Sequence, residues 1–419
     1  MGQWNRWNSL VASIGIAIIA PIAIAEEKKA TPEYVGTQAC ISCHDSEHSS
    51  WKSSKHSNKP PESVPDWSKT CAGCHTTNMS VASLTWGEGD VGCEACHGPG
   101  RDHASEGVKG KIVASKAADV CGQCHLGNDG QDGGKLMSDG TKWVVGYRPG
   151  MKLSNVPGLL LNPVDPAKIP PESGSRHRRN YNMWEASGHS KTLNLIINNS
   201  QASPECYGCH SDEGFKAKLS GKKIDAAQKE SFSPVTCVTC HDPHNSKNPH
   251  QLVMDSEDLC SSCHTQRAVL QGKGARGIEE TRSFHSAVDC TSCHMTEGNH
   301  LMKVIRPDDP DLSEKRLDTC TSCHKDNNRK ARVAQLQEWQ TSYKEGIEPL
   351  QADINAISAA LKERPGLLDD KMKAKWNDLR ANLSMLTKDG SRGAHNFDFA
   401  AVIMESAAKD LGEIKAAMK

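Results

Sequence analysis

The sequence has few of the side chains that usually fill a large hydrophobic core. Aromatic residues make up 5% of its 419 residues, and hydrophobic residues make up 36%. A chain of this length is long enough for two or three domains, so something besides side chains must fill its interior. Charge of one sign is also missing, since 50 Lys and Arg stand against 51 Asp and Glu. A chain this close to neutral gives no electrostatic support for a nucleic-acid partner, and we expect none.

Long apolar runs are missing except near the start of the chain. The run from Leu10 to Ala25 is interrupted by Pro21 and ends in Ala23-Ile24-Ala25, an A-x-A cleavage pattern. This arrangement is typical of a secretory signal peptide over residues 1–25, whereas an uncleaved anchor would need a longer run. We therefore expect an exported chain, periplasmic or secreted to the cell surface, with no membrane span after signal cleavage.

No cysteine lies outside one recurring unit. All 18 cysteines occur in C-x-x-C-H motifs, the attachment signature of haem c. In this chemistry two thiols add to the haem vinyl groups and the following His binds the iron. In chain order, motifs 1 to 9 are Cys40/Cys43/His44, Cys71/Cys74/His75, Cys93/Cys96/His97, Cys121/Cys124/His125, Cys206/Cys209/His210, Cys237/Cys240/His241, Cys260/Cys263/His264, Cys290/Cys293/His294 and Cys320/Cys323/His324.

Other uses of cysteine do not account for the histidines. Disulfides are common in exported proteins and zinc ribbons use paired C-x-x-C units, but neither requires His after every second Cys. Only 19 of 419 residues are His, yet His fills all nine of these positions. We predict nine covalently bound haems c whose porphyrins form most of the apolar core, with short helices around the motifs and loops between them.

The motifs divide the chain into segments. After residues 1–25, residues 26–128 form a four-haem module, and residues 129–205 are a haem-poor connecting segment rich in Gly and Pro. This segment is expected to be a surface excursion or a linker that carries distal His residues. Residues 206–326 form a five-haem module. Similar motif spacings in the two clusters indicate a duplicated module, although close haem packing could impose the same spacings.

Residues 327–419 have the pattern of a helical segment. Apolar residues step by threes and fours from Val333 to Leu361, with Pro349 as a site for a kink, and again from Leu368 to Leu386. Asn396 can cap a third helix that runs to about Ala417. The predicted fold class is mainly α with extensive coil: a multihaem cytochrome c with a haem-packed core plus a C-terminal helical bundle.

Ten histidines outside the motifs are candidates for the second axial position of each iron. Nine irons with two His ligands each need nine of them, so one is left over. A His shortly after a motif cannot easily reach the opposite face of its own haem, but it can reach a neighbouring iron. We therefore predict that His48 is the spare, with His250 and His177 as the next candidates for it. The predicted distal ligands are His56, His103, His177, His189, His244, His250, His285, His300 and His395.

Several of these motifs resemble a known family. "YVGTQACISCH…W…H", "TCAGCHTTN" and "GCEACHGPGRDH" resemble exported multihaem cytochromes c that include the tetrahaem electron acceptor of hydroxylamine oxidoreductase. "HSAVDCTSCHM…NH" and the helices with "GAHNFDFA" are similar to the C-terminal part of pentahaem nitrite reductases and octahaem relatives. The resemblance implies distal-ligand roles for His56, His103, His189, His285, His300 and His395.

The chain departs from that family in its catalytic features. No C-x-x-C-K motif matches the Lys-ligated catalytic haem of nitrite reductases, and nothing identifies the tyrosine crosslink that marks hydroxylamine oxidation. A haem with two His ligands is low-spin and closed to substrate, so no catalytic residue is predicted.

The sequence therefore favours an electron carrier that passes electrons between a periplasmic or quinol-linked donor and a terminal reductase or extracellular acceptor. Redox proteins are its expected partners, and a homo-oligomer is compatible with the sequence. Two alternatives remain open at this stage. One is a reductase of a nitrogen or sulfur oxyanion (nitrite, hydroxylamine, sulfite or tetrathionate type) at one open haem. The other is a subunit of a haem-lined extracellular filament, in which a surplus His ligates iron in the next subunit.

Overall fold

The structure is a computed structural model that describes residues 33–58, 66–127, 134–172, 178–326 and 328–418. The predicted signal peptide and His177 lie outside these residues. Within them the chain has two regions of different character, a motif region (33–326) and a C-terminal bundle (328–418). The motif region has short helices joined by long coil segments, and within the described residues its only β-structure is isolated bridges. The predicted fold class, mainly α with extensive coil, is confirmed.

The helices of the motif region are short because most of them hold one motif or one neighbouring segment. Its α-helices are α1 Asp45–Lys52, α2 Trp67–Thr70, α3 Ala72–His75, α4 Cys93–His97, α5 Arg101–Glu106, α6 Ala118–His125, α7 Asn180–Ala186, α8 Tyr207–His210, α9 Asp212–Leu219, α10 Cys237–Cys240, α11 Ser256–Ser261, α12 Arg267–Gln271, α13 Cys290–His294 and α14 Thr319–Cys323. Its 3-10 helices are Thr37–Cys40, Lys109–Lys111, Leu153–Asn155, His189–Lys191, Leu193–Leu195, Pro204–Cys206, Ala226–Ser231, Pro249–Gln251 and Thr296–Gly298.

The C-x-x-C-H motifs form short helical turns of their own. In motif 1 the amide of His44 donates to the carbonyl of Cys40 at 3.0 Å, and in motif 6 the amide of His241 donates to Cys237 at 2.8 Å. Residues three and four apart lie on the same face of a helical turn. The turn therefore presents both thiols and the imidazole of one motif to the same side, as attachment of one haem requires.

The connecting segment is packed more tightly than a surface excursion would be, which corrects the expectation drawn from its Gly and Pro content. Leu153 is fully buried and Trp143 is 4% exposed. A Cβ atom placed on Gly73, inside motif 2, would lie 2.0 Å from the Trp143 ring, so that ring packs directly on the motif backbone. Since Gly73 has no side chain, it allows this close approach. The segment therefore forms part of the wall around the motifs.

The C-terminal bundle consists of three helices, α15 Arg329–Glu363, α16 Asp370–Asp389 and α17 Phe397–Ala417. The three predicted helices are confirmed, and α15 continues through Pro349. Asn396 caps α17 by accepting a hydrogen bond from the amide of Phe399. The bundle has its own apolar core, with Val269 from the motif region at its edge. The buried residues of this core are Val269, Tyr343, Leu350, Ile354, Ile357, Leu368, Trp376, Leu379, Leu383, Leu386, Phe399, Ala400, Ile403, Met404, Ala407, Leu411 and Ile414.

In the described part of the chain, no helix combines the length and the apolar character needed to cross a membrane.

Candidate haem sites

A single large cavity runs through the motif region. Its volume is about 3380 Å³, and cysteine or histidine side chains of motifs 2 to 8 lie in its wall. Pockets for ordinary small ligands measure roughly 300–1,000 Å³. The cavity is therefore several times larger than one such pocket, and its wall includes many of the side chains predicted to attach and ligate haem.

The cysteines of motif 1 lie outside the wall of this cavity. The thiol of Cys43 is exposed, whereas Cys40 of the same motif is half-buried. Cys43 follows the 3-10 helix Thr37–Cys40 and lies next to Ser42, whose hydroxyl is 3.9 Å from its Sγ. Motif 1 therefore lies outside the wall of the large cavity. Its role in haem attachment stays a prediction.

Two other second cysteines of a motif are exposed as well. They are Cys293 of motif 8 and Cys323 of motif 9. The remaining fifteen motif cysteines are half-buried. Of the three exposed cysteines, Cys293 lies in the wall of the large cavity, whereas Cys43 and Cys323 lie outside it, so a haem bound by motif 1 or motif 9 would have an edge near the surface.

Seven motif histidines each face one histidine from outside the motifs. The ring centres of these pairs lie between 6.0 and 6.3 Å apart. The facing pairs are His44 with His103 (6.2 Å), His56 with His125 (6.3 Å), His97 with His244 (6.1 Å), His189 with His264 (6.0 Å), His241 with His300 (6.2 Å), His285 with His324 (6.1 Å) and His294 with His395 (6.2 Å).

This spacing fits one metal ion between two imidazoles. Two metal–nitrogen bonds of about 2.0 Å and two ring radii of about 1.1 Å span about 6.2 Å in total. Aromatic rings in direct contact can also have centres about 4.5–7 Å apart, so what favours a metal is that seven pairs share this spacing and each contains one motif histidine. The rings, the thiols of the same helical turns and the cavity together have the chemistry and the dimensions that haem c needs.

Burial keeps many of these imidazoles neutral, which is the form that binds metal. His125 borders the large cavity and keeps an exposed surface there, yet the protein atoms crowded around its ring lower its pKa to about 4. Burial is also the main cause that lowers the pKa of His56, His189, His241, His285, His294 and His300.

Most of the facing histidines come from a segment next to a different motif. His103, His244 and His300 follow motifs 3, 6 and 8 at short distances in the sequence, yet they face the histidines of motifs 1, 3 and 6. His56, His189 and His285 instead precede the motifs that they face. The pairs therefore link parts of the chain that are remote in sequence.

Residues 51–56 and residues 184–189, the two Trp–His segments, have the same local structure. Trp51 donates its indole N–H to the carbonyl of Val91 at 3.0 Å, and Trp184 donates to Val235 at 2.9 Å. Each acceptor lies two residues before a motif, namely motif 3 or motif 6.

The histidines of these two segments are also held alike. The backbone amide of His56 donates to the hydroxyl of Ser54 at 3.2 Å, and the amide of His189 donates to Ser187 at 3.2 Å. Each of these histidines then faces the third motif that follows it, motif 4 or motif 7. Common spacing and common hydrogen bonds indicate a repeated structural unit.

Two candidate histidines, His48 and His250, and the motif histidine His210 lie in other surroundings. His48 packs against Trp51, with 5.6 Å between the ring centres. His250 is exposed, and its backbone carbonyl accepts a hydrogen bond from Nδ1 of His241 at 2.8 Å. His210 is oriented by a hydrogen bond between its Nδ1 and the carbonyl of Thr192 at 3.0 Å, and no second imidazole faces it in the described part of the chain.

Thiols from different motifs are close neighbours. Direct thiol–thiol interactions join motifs 1 and 3, 2 and 4, 4 and 6, 5 and 7, and 7 and 8. Thiols of motifs 3 and 4, 6 and 7, and 8 and 9 are also near one another, since burial and then the charge of the neighbouring thiol raise the pKa of Cys96, Cys240 and Cys293. The nine motifs therefore form one connected group, in which motifs 2 and 5 are side branches.

Buried carboxylates support the histidines, and sequence reasoning missed them. Glu94, inside motif 3, is 2% exposed and accepts backbone amides of Val35, Gly36 and Gly100 at 2.7 to 3.1 Å. It thereby ties the start of motif 1 to the segment that carries His103. Asp389 accepts a hydrogen bond from Nδ1 of His395 at 2.6 Å. An acidic residue between two motif cysteines, or six residues before a histidine, is too common a pattern to mark such a role.

Comparisons with known proteins agree with this geometry. The family "Cytochrome c554 and c-prime" matches residues 39–98 and 173–242, and each matched segment contains one of the Trp–His segments and the two motifs that follow it. The family "Doubled CXXCH motif" matches residues 231–269.

Individual relatives are distant in sequence. The chain is 28% identical to the "Multiheme cytochrome MtrA" of Shewanella baltica (strain OS185) over 33% of its length, and the match spans 35% of that relative. The solved structure of "Outer Cell Wall Cytochrome OcwA" aligns with a TM-score of 0.74 and 23% identity, over 91% of this chain and all of that one. The "Undecaheme cytochrome from S-layer of Carboxydothermus ferrireducens" aligns with a TM-score of 0.59 and 21% identity, over 91% of this chain and 69% of that one.

Proposed function

From the premise that this chain belongs to the multihaem c-type cytochromes, we propose that it is an exported nine-haem electron carrier. Its donor would be a periplasmic or quinol-linked redox protein, and its acceptor a terminal reductase or an extracellular electron acceptor. Each haem supplies one-electron exchange between ferric and ferrous iron. The protein's own residues attach the haems, fix both axial positions and hold neighbouring motifs together.

The observation that carries this proposal is the continuous series of motifs. Adjoining thiols and facing histidines connect motif 1 to motif 9 through motifs 3, 4, 6, 7 and 8. Carriers need closely spaced redox centres and no substrate site. A chain that places its attachment points in one unbroken series, with motifs 2 and 5 at its sides, has the organisation of a relay.

Two exposed thiols outside the wall of the large cavity support entry and exit of electrons at the two ends of this series. They are Cys43 of motif 1 and Cys323 of motif 9. A redox partner has to approach a haem edge closely, so an attachment point near solvent suits a terminal haem. The proposed carrier would therefore exchange electrons with its partners near motif 1 and near motif 9.

The ligand assignment that follows gives each facing pair one iron. His177 is proposed as the partner of His75 because of its position in the chain. Arg179, two residues later, lies against Gly127 at the end of motif 4, and motif 4 adjoins motif 2. His48 stays the predicted spare, since its ring packs on Trp51. His250 is exposed and is a further candidate for the spare.

Export to the periplasm or the cell surface is part of the proposal. The signal-peptide pattern of residues 1–25 supports it. The names of the two solved structures support it as well, because one places its cytochrome in an outer cell wall and the other in an S-layer.

The test of the relay removes its connecting motif. Among the described contacts, motif 6 joins motifs 1–4 to motifs 5 and 7–9. In the Cys237→Ser/Cys240→Ser double variant, we expect the reduced protein to be reoxidised by a one-electron acceptor in two phases instead of one. The matched control is Cys71→Ser/Cys74→Ser, which removes a side branch and should keep the single phase. Mass spectrometry of both variants checks that eight haems remain. Equal kinetics in the two variants would contradict the relay.

One observation favours a second candidate function, reduction of a small oxyanion at an open haem. In the described part of the chain no imidazole faces His210, although its ring lies in the cavity wall. Motif 5 is also a side branch that adjoins motif 7. An iron held there by His210 alone would have a free sixth position.

Carbon monoxide distinguishes this candidate from a pure carrier. The reduced protein should bind CO at one haem, and the Cys206→Ser/Cys209→Ser variant should lose that binding, while Cys71→Ser/Cys74→Ser should keep it. If the reduced parent protein binds no CO, the open-haem candidate is wrong and the carrier function is unaffected.

A further inference from the structure

The turn between α16 and α17 joins a buried carboxylate to a proposed iron ligand. Asp389 ends α16, and its Oδ1 accepts a hydrogen bond from Nδ1 of His395 at 2.6 Å. The other side of the His395 ring faces His294 of motif 8, with 6.2 Å between the ring centres. The His395 ring therefore contacts a carboxylate at Nδ1 and also faces a motif histidine.

The turn holds the carboxylate in place. Ser391 donates both its hydroxyl and its backbone amide to Oδ2 of Asp389, and its hydroxyl oxygen accepts the amide of His395 at 3.1 Å. Gly390 has a φ of 73°, a left-handed conformation that commonly ends a helix and that glycine adopts without strain. Asp389 thus contacts His395 directly and also through Ser391.

The Asp389 carboxylate is buried beside this histidine. Its side chain is 3% exposed, and Oδ1 lies 2.6 Å from Nδ1 of His395. The charge of Asp389 also acts on the nearby Tyr343 hydroxyl, whose pKa is raised mainly by burial. A buried carboxylate is held in place by its hydrogen bonds, because water no longer solvates it.

Other histidines of the haem sites have neutral partners at Nδ1. In six of them a backbone carbonyl lies within hydrogen-bonding distance of Nδ1. The pairs are His97 with Val113, His103 with Val108, His210 with Thr192, His241 with His250, His294 with Met302 and His300 with Gly298. His244 has a carboxylate nearby, but Oδ1 of Asp242 is 3.8 Å away and the pair is more than 40% exposed. That distance is too long for a hydrogen bond, and solvent screens the charge.

We propose that Asp389 is a positioning residue that lowers the reduction potential of the haem held by motif 8 and His395. A carboxylate at the outer nitrogen of a ligating imidazole orients the ring and raises its basicity. A more basic ligand and a fixed buried negative charge both stabilise ferric iron more than ferrous iron. The thiols of motif 8 adjoin a thiol of motif 7 and lie near one of motif 9, so a haem bound by motif 8 would have neighbours on both sides. Asp389 would therefore affect the driving force for electron transfer between the haems of motifs 7, 8 and 9.

The proposal rests on the proposed role of His395 as an axial ligand, and its experiment separates the two. Asp389→Asn keeps the shape of the side chain and removes its charge. In an optical redox titration of the nine-haem protein, we expect one haem to move to a higher potential by at least tenfold in its redox equilibrium, which is 59 mV for one electron. The same haem should stay low-spin in the electron paramagnetic resonance spectrum. Asp389→Glu should restore most of the parent potential.

Asp242→Asn is the matched control, since it removes a carboxylate that is near a proposed ligand but exposed and beyond hydrogen-bonding distance. We expect no change of potential in this variant. Unchanged potentials in Asp389→Asn, or equal shifts in both variants, would overturn the inference. In that case His395→Ala still tests the ligand itself: a new high-spin haem would retain the ligand assignment, whereas unchanged spectra would reject it. Haem content, measured by mass, shows whether each variant has folded and matured.

Discussion

The motif region and the C-terminal bundle are stabilised by different means. The bundle has three long helices around a contiguous core that includes Phe399 and Leu383, both almost fully buried. In the described motif region, the hydrophobic clusters are small, with three to five buried residues each. The motif region instead encloses a cavity of about 3380 Å³. The comparison teaches that one region brings its own apolar core, whereas the other depends on the group that fills its cavity.

Removal of the haems should have the largest effect on the difference in stability between the two regions. When the chain is produced without haem attachment, the motif region loses the apolar surface that would fill its interior, and we expect it to unfold. The helices α15 to α17 should persist, because their core is made of side chains. Limited proteolysis with mass spectrometry would show cleavage throughout residues 33–326 and protection of residues 328–418. Equal protection of both regions would show that the motif region is stable without haem.

A large-to-small substitution in the bundle should be costly. Phe399→Ala removes a fully buried ring from α17 and should lower the free energy of unfolding of the bundle by roughly 3–5 kcal/mol. Val402→Ala on the same helix is the control, since Val402 is 40% exposed and surface changes usually stay within about 0.5 kcal/mol. Urea denaturation followed by circular dichroism measures both variants. Similar midpoints for the two would contradict the core described for the bundle.

A single histidine in the motif region should change an iron site more than the fold. His300→Ala leaves His241 without its facing ring, and we expect one haem to become high-spin. His48→Ala should leave every haem as it was, because His48 packs on Trp51 and is the proposed spare. Electron paramagnetic resonance of the oxidised proteins compares the two variants. A new high-spin signal in His48→Ala would mean that the spare is another histidine.

The smallest expected effect concerns the two Trp–His segments. Trp51→Phe and Trp184→Phe each remove one indole hydrogen bond to a carbonyl that precedes a motif. We expect each to lower the free energy of unfolding by about 1 kcal/mol, the usual net value of one hydrogen bond, and the two losses to be similar. Guanidinium denaturation followed by haem absorbance measures them. Strongly unequal losses would argue against structural equivalence of the two segments.

The sequence predicted the parts of the molecule that depend on local pattern. The three bundle helices follow from apolar spacing and from the Asn396 cap, and the motifs follow from cysteine spacing. Seven of the histidines predicted as distal ligands each face a motif histidine in the structure, and their axial role is still a prediction.

Other features depend on tertiary contacts that one sequence does not encode visibly. The partner of His244 is His97, 147 residues away, because the fold brings motifs 3 and 6 together. The burial of Trp143 could not be anticipated in a Gly- and Pro-rich segment, since it depends on the absence of a side chain at Gly73.

The exposure of individual attachment residues was equally hidden. Cys43 and Cys74 occupy the same position in their motifs, yet Cys43 is exposed while Cys74 lies in the cavity wall. The difference depends on which segments pack around each motif, although both motifs share the C-x-x-C-H pattern. The role of Asp389 was hidden for a similar reason, because it depends on a turn conformation at Gly390 and on a hydrogen bond to His395.

The direction in which the facing histidines link the chain has a consequence for biogenesis. His56, His189 and His285 precede the motifs that they face, so a chain that emerges from its N-terminus presents both histidines as soon as the motif has emerged. His103, His244, His300 and His395 follow the motifs that they face. Under the proposed ligand assignment, the irons of motifs 1, 3, 6 and 8 must wait for later chain. Maturation would then close one site after another, and the site of motif 8 would be complete only after the turn before the last helix has been exported.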